Sequence, residues 1–166
     1  PEASEVYDNN LRKEMRALQA VHDHKNIITF FGLSPAGVLD GRIRMVTEFC
    51  DGLRHLGNDG FVPNVKALAL CAARGLEAVH KAGVLHNDFA ARNVFITSTN
   101  MAKVGDFGLS CSYDKFGKAA TGHYGLVRDI LPPEIVWASH KKAKNEDCSV
   151  MLSLKSDVYA FGLFLC

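Results

Sequence analysis

The sequence predicts an α+β fold, and three observations carry that expectation. Two stretches, 8–20 and 65–82, repeat apolar residues at the spacing of a helix that buries one face. Around them lie short runs rich in β-branched and aromatic residues, bounded by Gly, Pro and Asn. Three polar residues, Asp88, Asn93 and Asp106, stand at the tips of such runs rather than within them.

With 166 residues the chain is long enough to bury a core and fits the length of one domain. Nineteen Lys and Arg stand against eighteen Asp and Glu, a net charge of +1, which indicates no nucleic acid or other polyelectrolyte partner. The five cysteines, Cys50, Cys71, Cys111, Cys148 and Cys166, are odd in number and widely spaced, with no Cys-x-x-Cys, so neither a disulfide framework nor a zinc site is suggested. An intracellular, reducing setting is the default expectation, and the cytoplasmic face of a membrane is compatible with it. No apolar run reaches the length of a membrane span, and no signal peptide is visible. The chain ends inside the apolar run Val158–Cys166, and a helix apolar on every side belongs in a core. The expectation is therefore a segment of a longer domain.

The elements follow in order. In the first helix Leu11, Met15 and Leu18 form the apolar stripe, Asp8 is a candidate cap, and Arg12, Lys13, Arg16 and Gln19 take the other faces. Glu14 lies at the edge of the stripe, where most carboxylates are simply solvated. Ile27–Leu33 and Ile43–Phe49 read as two strands joined by the turn-rich Ser34–Gly41. In the second helix, Val65–Ala82, the stripe is Leu68, Ala72, Leu76 and Val79; Asn64 caps its start and Gly83 suits the position after its end. Its alanines and Gly75 allow close packing, and Cys71 reads as small core filling. A hairpin through Thr97–Asn100 joins the runs on either side of it. Residues 109–131 show no sustained period and read as a long loop, and 139–149 as a solvated insertion.

The stretch His86-Asn87-Asp88-Phe89-Ala90-Ala91-Arg92-Asn93 and the later Asp106-Phe107-Gly108 hold the chemistry. Asp88 and Asn93 are five apart, and Asp106 follows Asn93 by thirteen. Two carboxylates and an amide on neighbouring tips offer hard oxygen ligands for Mg²⁺ and one carboxylate to orient a hydroxyl. Alone, either motif is usually a turn. Together, in this order, they resemble the catalytic loop and the Asp-Phe-Gly metal motif of protein kinases. Pro132-Pro133-Glu134 is similar to the Ala-Pro-Glu that closes a kinase activation segment, and Lys155–Gly162 to the start of the kinase F-helix. No Gly-x-Gly and no Gly-x-x-x-x-Gly-Lys occurs, so P-loop and Rossmann readings have no support.

The resemblance implies a protein-kinase-like two-lobe fold in truncated form. Residues 1–50 would be the remainder of the small lobe and the hinge, and 51–166 part of the large lobe. ATP and Mg²⁺ are the implied cofactors. Asp88 would orient the substrate hydroxyl, Arg92 would accompany it, and Asn93 and Asp106 would hold Mg²⁺ on the phosphates. His24-Lys25-Asn26-Ile27-Ile28 resembles the segment after the kinase C-helix, which makes Glu14 the carboxylate that pairs with a small-lobe lysine. Leu18 would join the apolar spine behind Phe107 and His86. Thr47-Glu48-Phe49-Cys50 looks like the gatekeeper and hinge: Thr47 would leave a pocket open, and adenine would bond backbone groups of Glu48 and Cys50. Phe95 lies where a leucine commonly supports the adenine ring. Asp157 would bond the catalytic-loop backbone. The string Ala90-Ala91-Arg92-Asn93 is the tyrosine-kinase form of the loop, similar to receptor types, so the implied partner is a protein substrate that accepts phosphate on tyrosine.

Three departures bear on regulation and substrate. Asn87 replaces an arginine that in the family clamps a phosphorylated activation loop, and it loses both the charge and the bidentate fork. Neither Tyr113 nor Tyr124 sits about a dozen residues after Asp106, where tyrosine kinases commonly place the acceptor, so loop phosphorylation is not expected to gate the protein. Val127-Arg128-Asp129-Ile130-Leu131 differs from the usual floor beneath the acceptor tyrosine. The 166 residues also contain no Gly-rich loop and no small-lobe lysine, since Lys13 is adjacent to Glu14 and cannot face it. These residues alone are therefore expected to transfer phosphate poorly. Two alternatives stay open: a pseudokinase or binding module without catalysis, and a tyrosine-kinase-like enzyme acting on serine or threonine.

Overall fold

A computed structural model describes residues 3–21, 23–34, 43–50, 64–114, 118–119, 131–137 and 152–166, with side chains in the first helix from residue 11 onward. Helix α1 spans Ala3–Ala20. Of its expected stripe Leu18 is buried, joined by Ala17 and by Val21 just past its end, whereas Leu11 and Met15 are half-buried and line a groove with Leu33 and Ile43. The helix starts earlier than the periodicity implied. Asp8 therefore lies inside it rather than at its start, the one position from which a capping residue works.

Strands β1 (Phe30–Ser34) and β2 (Arg44–Thr47) form an antiparallel pair, shorter than the two runs predicted. The register slips between Phe30 and Gly32, and Gly32 takes a φ of 141° at this bulge. Ile27 does not extend β1. Its backbone neighbours turn instead toward β5 (Ala102–Val104): Val104 N donates to Asn26 O at 2.8 Å and Ile28 N to Val104 O at 2.9 Å. The buried Asn26 Nδ2 donates to Ala102 O at 3.0 Å and reinforces the same join. Three bonds to β5 thus outcompete continuation of β1. The connection 35–42, the stretch 51–63 after the hinge and the insertion 139–149 lie outside the described residues.

Helix α2 (Val65–Lys81) packs one face into the core. Asn64 caps it, its side chain accepting from Ala67 N at 3.3 Å, and Gly83 follows with a φ of 77°. Leu68, Ala72, Gly75, Leu76 and Val79 are its buried face. A Cβ on Gly75 would meet Asn26 O at 2.6 Å and Val104 Cγ2 at 2.7 Å, so only glycine lets α2 lie this close to β5.

Beyond α2 the chain makes three small antiparallel pairs. Strand β3 (Val84–Leu85) pairs with β6 (Cys111–Ser112), and β4 (Val94–Ile96) pairs with β5 through the predicted hairpin. β7 (Lys118–Ala119) pairs with β8 (Leu152–Ser153). Residues 133–137 form a helical turn that buries Ile135. Helix α3 (Leu154–Phe164) starts where Ser156 Oγ accepts from Ser153 N at 3.4 Å. Its inner face packs Phe161 and Phe164 on Phe89, at ring separations of 5.7 and 5.5 Å, while Val158, Tyr159 and Leu163 are exposed. One core runs through α1, α2, β5, Phe89, Phe107 and α3; a smaller one joins Leu85, Ile135 and Leu152. No described helix is long and apolar enough to cross a membrane.

Candidate functional site

The loop from His86 to Asn93 hangs between β3 and β4, and its position is set by one buried carboxylate on α3. Asp157, 1% exposed, accepts from the backbone N–H groups of His86 and Asn87, both at 2.8 Å. It also meets His80 Nε2 of α2 at 2.9 Å. The expected bond from Asp157 to the loop backbone is therefore present, and His80 is a third partner that the sequence did not reveal. Asn87 stands at a φ of 63°, a left-handed geometry that Asn tolerates better than most residues.

His86 is fully buried and acts as a spacer between the two motifs. Its Nε2 lies 3.1 Å from Gly105 O, so that nitrogen carries the proton, and Nδ1 accepts from Asp88 N at 3.3 Å. Burial pushes its pKa down, against the pull of Asp157, and keeps the ring neutral. The ring packs on Phe107 at 5.1 Å and on Phe89 at 5.8 Å. Leu18 shares the core with Phe107, so the expected apolar stack behind the site is formed.

Asp88, Arg92 and Asn93 are gathered into one cluster. Asp88 Oδ1 accepts from Arg92 and Oδ2 from Asn93 Nδ2 at 2.9 Å. Asn93 Nδ2 also donates to Asp88 O at 2.7 Å, and the short helical turn Ala91–Asn93 supplies the bend that brings this about. With the amide nitrogen held by Asp88, the oxygen is the end of Asn93 left for a cation. Asp106 follows immediately on the far side, because Gly105 N donates to Asn93 O at 3.0 Å. Asp106 is exposed, takes a φ of 59° and accepts weakly from Gly108 N at 3.4 Å. An exposed carboxylate beside an amide oxygen suits a hard cation. Among the described residues no three His, Cys, Asp or Glu side chains could hold a metal by themselves. A Mg²⁺ ion here would need further oxygens from phosphate and water, which is its usual preference.

Glu14 of α1 reaches the same place from above. Burial raises its pKa, the negative charge of Asp106 raises it further, and a bond from the Phe107 backbone N–H works against both. No cation among the described residues relieves it.

The residues expected as gatekeeper and hinge, Thr47, Glu48 and Cys50, sit at and just past the end of β2. Thr47 pairs with Phe30 across the sheet, and Cys50 is buried. Glu48 N donates to Thr29 O at 2.8 Å, so its carbonyl is the backbone group left for a base. The Glu48 side chain does more than expected. It accepts from Thr29 N at 2.6 Å and Oγ1 at 3.0 Å, and pairs with the buried Lys103 at 2.6 Å. Burial pushes its carboxyl up, but Lys103 and Thr29 together hold it below the ordinary range. Lys103 lies opposite Phe95 in the β4–β5 register. The Phe95 ring rests on Gly105, where a Cβ would come within 2.7 Å of Cε2. Glu48 thus bonds Lys103, whose strand partner Phe95 rests on Gly105, the residue before Asp106. The ion pair went unpredicted because its partners are 55 residues apart and neither strand signals the other.

The family model described as protein tyrosine and serine/threonine kinase matches residues 1–166. Among curated proteins, the chain is 31% identical over 162 residues to chitin elicitor receptor kinase 1 of Arabidopsis thaliana, covering 92% of this chain and 23% of the relative. It is 28% identical over 188 residues to fibroblast growth factor receptor 1 of Xenopus laevis, covering 99% and 21%. It is 28% identical over 172 residues to the tyrosine-protein kinase JAK1 of Danio rerio, covering 98% and 14%. The chain spans less than a quarter of the length of each.

Proposed function

The chain belongs to the protein tyrosine and serine/threonine kinase family, and we propose that it is the central part of a catalytic domain that transfers the ATP γ-phosphate to a protein tyrosine. In this reading residues 1–50 belong to a small lobe and hinge, and 51–166 to a large lobe. The observation that carries the reading is the Asp88 cluster. Arg92 and Asn93 hold the two oxygens of one buried carboxylate, next to a second carboxylate, Asp106, that is open to solvent.

Each side chain then has a task. Asp88, fixed in orientation, accepts or directs the proton of the acceptor hydroxyl. Arg92 keeps that carboxylate aimed, and the string Ala90-Ala91-Arg92-Asn93 around it, which resembles the tyrosine-kinase form of the loop, favours tyrosine. Asn93 and Asp106 would hold Mg²⁺, which when bound to ATP neutralises phosphate charge as the γ-phosphoryl group moves. Thr47, the carbonyl of Glu48, Cys50 and Phe95 would line the base site. Glu14 would pair with a lysine, and among the described residues no cation relieves its charge; these residues alone would transfer phosphate poorly.

A second reading, serine or threonine as acceptor, draws on the family model, whose description spans tyrosine and serine/threonine kinases. Steady-state transfer by the full-length protein to matched tyrosine and serine peptides separates the two. A tyrosine preference of tenfold or more is expected. A serine preference would reassign the acceptor, and no transfer to either would favour a binding module.

A further inference from the structure

The Asn87 side chain has one end engaged and one end that is not. Its Nδ2 donates to Leu109 O at 3.1 Å and to Cys111 Sγ at 3.0 Å. Its Oδ1 is buried and meets no donor among the described residues. Turning the amide over would aim the oxygen at the Leu109 carbonyl, so rotation does not cure the defect. A buried acceptor without a donor is costly, and folded proteins rarely leave one.

Asn87 also lines a cavity of about 20 Å³ where the loop meets β8 and α3. One water needs roughly 10–15 Å³ of such space and about two to four polar partners. Two other polar residues line the cavity, both at the start of α3: Ser156 and Asp157. Ser156 Oγ accepts weakly from Ser153 N at 3.4 Å, and its own proton goes to no acceptor among the described residues. Asp157 Oδ1 accepts from Asn87 N, which leaves it a lone pair. Phe89, Leu152 and Ala160 are among the apolar lining.

An acceptor short of a donor, a hydroxyl proton short of an acceptor and a carboxylate oxygen with spare capacity therefore converge on one small space. Water can serve all three at once, because it donates twice and accepts. A hard cation cannot take the serine proton, and three oxygens fall short of the six or so that such an ion collects.

We propose that this cavity is a binding site for a single structural water, which donates to Asn87 Oδ1 and Asp157 Oδ1, accepts from Ser156 Oγ, and so joins the loop that carries Asp88 to the start of α3. The water completes the bonding of Asn87 and adds a bridge beside the direct bonds from Asp157. The inference stands on the cavity and its lining, whichever hydroxyl accepts phosphate.

X-ray radiolytic labelling of the full-length protein tests it. Hydroxyl radicals formed from a bound water oxidise the side chains around it, including those that bulk solvent does not reach. Phe89 and Leu152 line the cavity and are 1% and 2% exposed. Phe107 and Leu18 are equally buried and do not line it, so they serve as matched controls. In the wild-type protein Phe89 and Leu152 are expected to oxidise about tenfold faster than these controls, because only they adjoin the bound water. Ala160→Val fills the cavity and should bring both down to the control rate. Labelling of Phe89 and Leu152 no faster than that of Phe107 and Leu18 would overturn the proposal. Undiminished labelling in a folded Ala160→Val protein would overturn it too. The wild-type comparison decides the matter even where the filled variant does not fold.

Discussion

Replacing Asp157 asks how firmly the loop that carries Asp88 is held. The carboxylate is 1% exposed and serves three donors: His86 N and Asn87 N at 2.8 Å and His80 Nε2 at 2.9 Å. Asp157→Ala leaves two backbone N–H groups facing a cavity, and each buried unsatisfied donor costs ~1–3 kcal/mol. With two such donors the Ala variant should lose about 2–6 kcal/mol. Asp157→Asn is isosteric, but its oxygen serves one backbone donor while its NH₂ confronts the other. Its loss should be about half as large, ~1.5–3 kcal/mol, the worth of one hydrogen bond to a charged acceptor. Urea unfolding gives both free energies, and amide exchange at His86 and Asn87 shows whether the loss is local. The reasoning fails if Asn matches wild type within about 0.5 kcal/mol, the range of ordinary surface substitutions. It fails equally if the two amides stay as protected in the Ala variant as in wild type.

Other perturbations have equally definite outcomes. Gly75→Ala places a Cβ 2.6 Å from Asn26 O and should cost ~1–3 kcal/mol in thermal or urea unfolding; a stabilised protein would show that α2 and β5 can separate freely. Gly105→Ala should be severe alone, because its Cβ would strike the Phe95 ring at 2.7 Å, and should be partly rescued by Phe95→Leu. Additive losses in that double-mutant cycle would deny the contact. Glu14 has its pKa raised above the ordinary 4.5, so its neutral form fits the fold and that advantage is lost as pH rises through the raised value. In the 166-residue chain Glu14→Gln should therefore raise the urea midpoint at pH 7, with the gain vanishing near pH 4. A gain that grows toward acid would reverse the sign of the argument.

Much of this arrangement is legible in the sequence where a signal is local. Leu68, Ala72, Leu76 and Val79 repeat at helical spacing, Asn64 and Gly83 carry the chemistry of a helix start and stop, and α2 lies between them. Val94–Ile96 and Ala102–Val104 flank a turn and pair as a hairpin. The motif spacing also brought Asp88, Arg92 and Asn93 together. What could not be read is what depends on partners distant in sequence. His80 looks like any polar residue near a helix end until α3 brings Asp157 against it. Lys103 looks like the exposed position of a strand until Glu48 arrives across the gap. Ile27 has strand propensity, yet the Asn26 side chain turns its neighbours toward β5. Asp8 has capping chemistry, but nothing local states that the helix begins at Ala3.

The most direct measurement is transfer of γ-phosphate from Mg²⁺–ATP to a tyrosine substrate by the full-length protein, wild type beside Asp88→Asn. If Asp88 orients the acceptor hydroxyl, the variant should lose about 10²–10⁴ in kcat with little change in the KM for ATP. An Asp88→Asn protein that phosphorylates tyrosine at the wild-type rate would contradict the account.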